Sequence, residues 1–147
     1  MKIENLTDQS IADLFANGID CSQIVMGYAA NKLDINSDDA LKVSAAFGGG
    51  MWCGRTCGCV SGALMALGLK YGYSEPNSAE QKNALLAKKT EFEQRFAAEN
   101  GSVVCKEILG YDLSQPDQMA KIMEQNLLFT ICPKAVASAC RLLDEML

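Results

Sequence analysis

The chain contains no histidine. This removes the usual general base for a cysteine nucleophile and excludes the histidine-ligated c-type haem attachment motif. Cations are also in deficit, with 13 Lys and Arg against 18 Asp and Glu and a net charge of −5. Without a basic stripe, the counterion release that drives phosphate-backbone binding has no source, so nucleic acid is not an expected partner. No apolar run reaches the ~20 residues of a membrane-spanning helix, and no membrane insertion is expected. The opening residues Met1-Lys2-Ile3-Glu4-Asn5 lack the charged-then-apolar run of a secretory signal, which predicts a cytoplasmic location. Strand signals are missing too, because no segment alternates apolar and polar residues with β-branched enrichment.

What the chain does have is cysteine, seven of them in 147 residues. In a reducing compartment an odd number of thiols reads as reduced, metal-bound or catalytic rather than as a disulfide framework. With 49% apolar and 21% charged residues, a packed core is expected, and the length suits one domain over residues 1–147.

The periodicity predicts an all-α bundle of seven to eight helices around an apolar central helix at residues 56–69. Thr7 caps a first helix that Gly18 stops, Asp20 with Gln23 opens a second, and Ser37 opens a third that ends at Gly48-Gly49-Gly50. In the central helix Gly54, Gly58, Gly62 and Ala66 recur every fourth residue, a ridge of small side chains that permits close approach of another helix. The longest helix runs from Ser78 to about Asn100, a short one ends at Leu109, another follows Pro116, and Pro133 starts the last. In that last helix Lys134, Ser138, Arg141 and Glu145 form a polar side opposite Val136, Cys140, Leu143 and Leu147.

Four cysteines fall where these helices begin: Cys21, Cys57, Cys105 and Cys132. The unpaired N–H groups and positive dipole end of a helix favour a thiolate over a thiol, so four such ends meeting in space would make a soft anionic pocket. Their separations of 36, 48 and 27 residues match no zinc finger, zinc ribbon or ferredoxin spacing. Cys140 lies eight residues beyond Cys132, about 12 Å along one helix, and reads as core filler. Cys59 follows Cys57 by two helical steps, about 200° around the axis, and reads as a packing residue. Cys53 sits in the Gly-rich loop, from which it could fold toward Cys57 to substitute as a ligand or trap a disulfide in air. That loop is not a phosphate nest, since no strand precedes it and no Gly-Lys-Ser/Thr follows.

The block Phe47-Gly48-Gly49-Gly50-Met51 followed by Thr56-Cys57-Gly58-Cys59-Val60-Ser61-Gly62-Ala63-Leu64-Met65-Ala66-Leu67-Gly68-Leu69-Lys70-Tyr71-Gly72 resembles the centre of the redox-active C-GCAxxG-C-C family. Asp20-Cys21-Ser22-Gln23 looks like that family's first cysteine block, and Cys105-Lys106-Glu107-Ile108-Leu109-Gly110-Tyr111-Asp112-Leu113 and Cys132-Pro133-Lys134 look like its last two. The resemblance implies an all-helical redox-active domain, similar to a region of split-Soret cytochromes for which an iron–sulfur cluster has been proposed. This chain departs from the pattern by flanking Cys57 with Cys53 and Cys59, the latter where a small residue such as alanine is typical.

The leading expectation is a four-cysteine site of Cys21, Cys57, Cys105 and Cys132, with Cys53 and Cys59 as candidate substitutes, that binds a thiophilic metal or an iron–sulfur cluster for electron transfer or redox sensing. Four thiolates around a [2Fe–2S] core of about +2 leave about −2, which four helix ends of roughly +0.5 each offset. Thiol–disulfide exchange by a helix-start cysteine, with Cys57 resolved by Cys53 or Cys21, is the enzymatic alternative. A zinc-stapled binding module is the third. Electron transfer requires a redox partner protein, and a homodimer is left open.

Overall fold

The computed structural model describes residues 1–147 and contains eight α-helices: α1 (Asp8–Ala16), α2 (Cys21–Lys32), α3 (Ser37–Ser44), α4 (Gly58–Tyr71), α5 (Ala79–Asn100), α6 (Cys105–Leu109), α7 (Pro116–Glu124) and α8 (Cys132–Met146). No single helix is long and apolar enough to cross a membrane. The fold is all-α, and its helix ends follow local chemistry. The Thr7 hydroxyl accepts from Ser10 N–H at the head of α1, and the Gln23 side chain accepts from Asp20 N–H at 3.0 Å at the head of α2. At α3 the cap is Asn36, accepting from Asp39 N–H at 2.9 Å, so Ser37 is the first helical residue rather than the cap.

α4 is the central helix, although it starts at Gly58 and extends to Tyr71 rather than spanning 56–69. Its glycines let α2 approach closely. A side chain at Gly62 would lie 2.7 Å from the Ser22 carbonyl, and one at Gly58 would lie 2.5 Å from the Cys21 sulfur. The small-residue ridge therefore works as expected at Gly58, Gly62 and Ala66. Gly54 is the exception: it precedes the helix with φ +72 and faces Asp112 and Lys106.

The other faces of α4 meet α5 and α8. α5 buries only Phe92 and Phe96, whose rings stack at 6.0 Å; on so polar a helix, this aromatic pair is the anchor. α8 buries Val136, Ala139, Cys140 and Leu143. Ser138, predicted on its polar side, is buried and bonds to Asn100 and Glu99, while Arg141 also reaches Glu99.

Two groups of buried apolar residues result. The main core draws on α1, α2, α3, α4, α5 and α8, and a smaller cluster of Cys105, Leu109, Leu113 and Ile122 lies under α6 and α7.

Candidate functional site

Cys21 is the first residue of α2, and its sulfur occupies the space that a side chain at position 58 would take. The Ser22 hydroxyl, fully buried, donates to the Ser44 carbonyl at 2.8 Å, which pins the start of α2 against the end of α3. Cys57 caps α4 with φ −52 and ψ 136, so the chain turns at this residue.

Cys57 and Cys105 are fixed to each other through the backbone. Thr56 and Val104 form an isolated antiparallel bridge, across which Cys57 N–H donates to Val103 C=O at 2.7 Å and Cys105 N–H donates to Arg55 C=O at 2.6 Å. This pairing places the two cysteines, 48 positions apart in sequence, on the same rim. Cys132 opens α8 ahead of Pro133; a proline in the first turn costs no hydrogen bond and presets the helical φ.

The segment from Gly48 to Gly54 forms the remaining wall. Gly49, Gly50, Met51, Trp52 and Gly54 all have positive φ, a conformation that only glycine adopts without strain. At Gly50 a Cβ would strike the Arg55 backbone at 2.4 Å, so this tight winding requires glycine. Met51 and Trp52 take up the left-handed conformation at φ 59 and 55 with exposed side chains. The winding brings Gly49 N–H to the Cys21 sulfur. Backbone donors approach two sulfurs here, the Gly49 and Ser22 N–H groups at Cys21 and the Cys59 N–H at Cys57.

These elements enclose a cavity of about 400 Å³ lined by Cys21, Cys57, Cys59, Cys105 and Cys132, with walls that include Phe15, Trp52, Leu113, Leu128 and Phe129. All four predicted cysteines are present. Asp20 is the only charged residue in the lining. Cys140 lies on the far side of the core beside Tyr28 and Asp144, in keeping with a packing role. Cys53 is not part of the lining; its thiol donates to the Gly50 carbonyl at 3.4 Å.

Cys59, expected as a packing residue or as a substitute ligand, is both packed and part of the cavity lining. It is 1% exposed and borders the same cavity as Cys57. The 200° argument holds only when both residues are helical, and Cys57 is outside the helix in extended geometry while Cys59 is the second residue inside. No signal but the position of the helix start could have revealed this. All seven cysteines are free thiols, and no three acidic or thiol side chains are arranged to hold a single ion.

The charge on the sulfurs is unevenly shared. The thiols of Cys57 and then Cys59 donate toward Cys21, and the N–H groups of Gly49 and Ser22 add to them, so Cys21 is held well below the ordinary thiol range. Cys57 is pushed up by its hydrogen bond to Cys21 and by burial, and Cys59 by Cys21, Cys57 and burial. Burial, then the charge on Cys21, pushes Cys105 up to about 12; the same causes, with Cys105 added, raise Cys132. Asp20 is raised by burial and by Cys21. Of the four, only Cys21 is lowered, and its causes are the thiols of Cys57 and Cys59 and nearby backbone N–H groups. At Cys57 the hydrogen bond to Cys21, and at Cys105 and Cys132 burial followed by the charge on Cys21, act in the opposite direction.

A sequence model of the family described as "Putative redox-active protein (C_GCAxxG_C_C)" matches residues 19–146, a span that holds every residue of the cavity lining but Phe15 and Gly18. No curated protein and no solved structure matches the chain.

Proposed function

The chain belongs to the C-GCAxxG-C-C family of redox-active proteins, and from that premise we propose that the cavity holds an iron–sulfur cluster through Cys21, Cys57, Cys105 and Cys132 for electron transfer or redox sensing. The observation that carries this reading is the set of thiols gathered from four separate helix starts onto one cavity of about 400 Å³.

The residues fit such a group chemically. Thiolate is the ligand class that selects clusters and other thiophilic metals. The cavity of about 400 Å³ between the thiols has room for a group of several atoms. Its walls are mainly apolar, which limits water access, and burial and backbone N–H groups near a sulfur are the means by which a protein sets the potential of such a centre. When bound, the cluster supplies reversible one-electron chemistry. The protein supplies four ligands, N–H donors at Cys21 and the exclusion of solvent. Because the remaining thiols must ionise to bind, assembly releases protons and strengthens as pH rises. A reducing, cytoplasmic setting and a partner protein that exchanges electrons belong to the same proposal.

Thiol–disulfide exchange is the second reading, favoured by a Cys21 thiolate faced by the thiols of Cys57 and Cys59. Purification without oxygen separates the two. Iron and acid-labile sulfide with visible absorption support the cluster; zinc at one per chain, or metal-free protein cycling two thiols per turnover, overturns it.

A further inference from the structure

The cavity contains one thiol more than a four-thiolate site uses. We propose that Cys59 is a sulfur donor interchangeable with Cys57, giving the site a choice of fourth ligand. This inference rests on the cluster reading above and goes beyond it by naming a fifth ligating residue.

Three observations support it. Cys59 borders the same cavity as Cys57 and is 1% exposed, so its sulfur needs no unfolding to reach the interior. The turn at Cys57, φ −52 and ψ 136, brings residues 57 and 59 to one side of the chain although their spacing would separate them on a regular helix. Both sulfurs also neighbour that of Cys21, so either can complete a set with Cys21, Cys105 and Cys132 after rotation about χ1. Cys53, the other extra cysteine near Cys57, fails the first criterion, since it is absent from the cavity lining and its thiol turns back to Gly50. Adjacent donors on a rigid helix start also differ in one respect. Cys57 is held by a backbone bond to Val103, whereas Cys59 belongs to the first turn of α4, so the two donors are anchored independently.

The test is anaerobic reconstitution with iron(II) and sulfide of wild-type protein, Cys53→Ala, Cys57→Ser, Cys59→Ala and the double variant Cys57→Ser/Cys59→Ala, reading bound iron, acid-labile sulfide and the visible spectrum. Cys57→Ser is expected to retain most of the iron with a shifted spectrum, Cys59→Ala to retain most of the iron with the spectrum shifted the opposite way, toward Cys57 ligation alone, Cys53→Ala to match wild type, and the double variant to lose most of its iron. If Cys57→Ser loses as much as the double variant while remaining folded by circular dichroism, the inference is overturned and the cluster reading stands. If wild-type protein assembles nothing, both fall. A second measurement on wild type removes dependence on the variants: alkylation of the assembled protein followed by peptide mapping is expected to show partial modification at both Cys57 and Cys59. Full protection of Cys57 with full modification of Cys59 overturns the exchange.

Discussion

At Gly58 the absence of one methyl group makes room for the Cys21 sulfur, which lies 2.5 Å from where a Cβ would stand, with the Phe47 carbonyl and Ser22 N–H each at 3.0 Å. Two of the three obstructing atoms are backbone, so Gly58→Ala must displace the head of α2 rather than turn aside a flexible side chain. We expect a loss of about 1–3 kcal/mol by denaturant unfolding, together with loss of iron binding. Cys140 yields a prediction of the opposite kind. Burial, with Asp144 adding to it, raises its pKa to about 12 from an ordinary 9.0. The folded state therefore keeps a proton that the unfolded state releases. The stabilisation is complete below the unfolded pKa and is lost as pH rises toward the folded value, at about 1 kcal/mol per pH unit. Cys140→Ala should cost about 1 kcal/mol near neutrality, flatten the alkaline decline and leave iron binding unchanged, which unfolding curves at about pH 8 and about pH 10.5 check. Cys132→Ser should abolish binding of the proposed cluster at little cost in packing, because the residue is only partly buried and serine is a competent residue at a helix start. The four helix-start cysteines were legible because capping residues, Pro133 and Gly stops are local signals. Cys59 was legible only as a candidate substitute, since its direction depends on whether helix geometry begins one residue before or after Cys57.

Among elements, the α2–α4 crossing controls the site, because each helix contributes cavity cysteines from its first turn. Gly62→Ala would place a methyl 2.7 Å from the Ser22 carbonyl, and backbone cannot yield as a side chain can. This substitution should force the helices apart, lowering stability by about 1–3 kcal/mol and broadening the cluster spectrum, as unfolding curves and visible spectroscopy of the reconstituted variant would reveal. Gly68→Ala is the control on the same helix: nothing lies within 4 Å of its added carbon, and helix propensity should make it neutral or slightly stabilising. All eight helices were readable from apolar period and caps, with ends displaced by a few residues. Ser78 illustrates the limit. It stands three residues before Gln81, the spacing of a capping box, yet its hydroxyl donates to the Glu75 carbonyl in the preceding turn, an equally local alternative for a short polar side chain. The Thr56–Val104 bridge left no trace in the sequence, since a single pair of residues has no period. The left-handed winding at Met51 and Trp52 was hidden for another reason: the glycines around them announce a turn but not its handedness.

At the scale of the molecule, the cavity lies where the main core meets the small cluster under α6 and α7. Cys21, Cys57 and Cys59 belong to the first, and Cys105 and Cys132 pack with the second, so a group bound by all four ligands would tie the two together. The small cluster has only four buried members, too little apolar burial to hold itself rigidly. Removing the proposed cluster from reconstituted protein should therefore speed amide exchange in Cys105–Leu109 and Leu127–Phe129 while α2 and α4 stay protected; equal protection throughout would show that the bridge and the chain connections suffice. This arrangement was only half legible. The four cysteines could be predicted to converge, but the division of the core depends on long-range packing that no local pattern records. The same cavity wall also carries the chain's one tryptophan, Trp52, 49% exposed and beside the sulfurs. An indole there is a built-in optical probe: its fluorescence comes from a single position, shifts with the polarity of the cavity mouth and is quenched when a coloured group enters, so filling and emptying of the site can be followed in real time on the unlabelled protein.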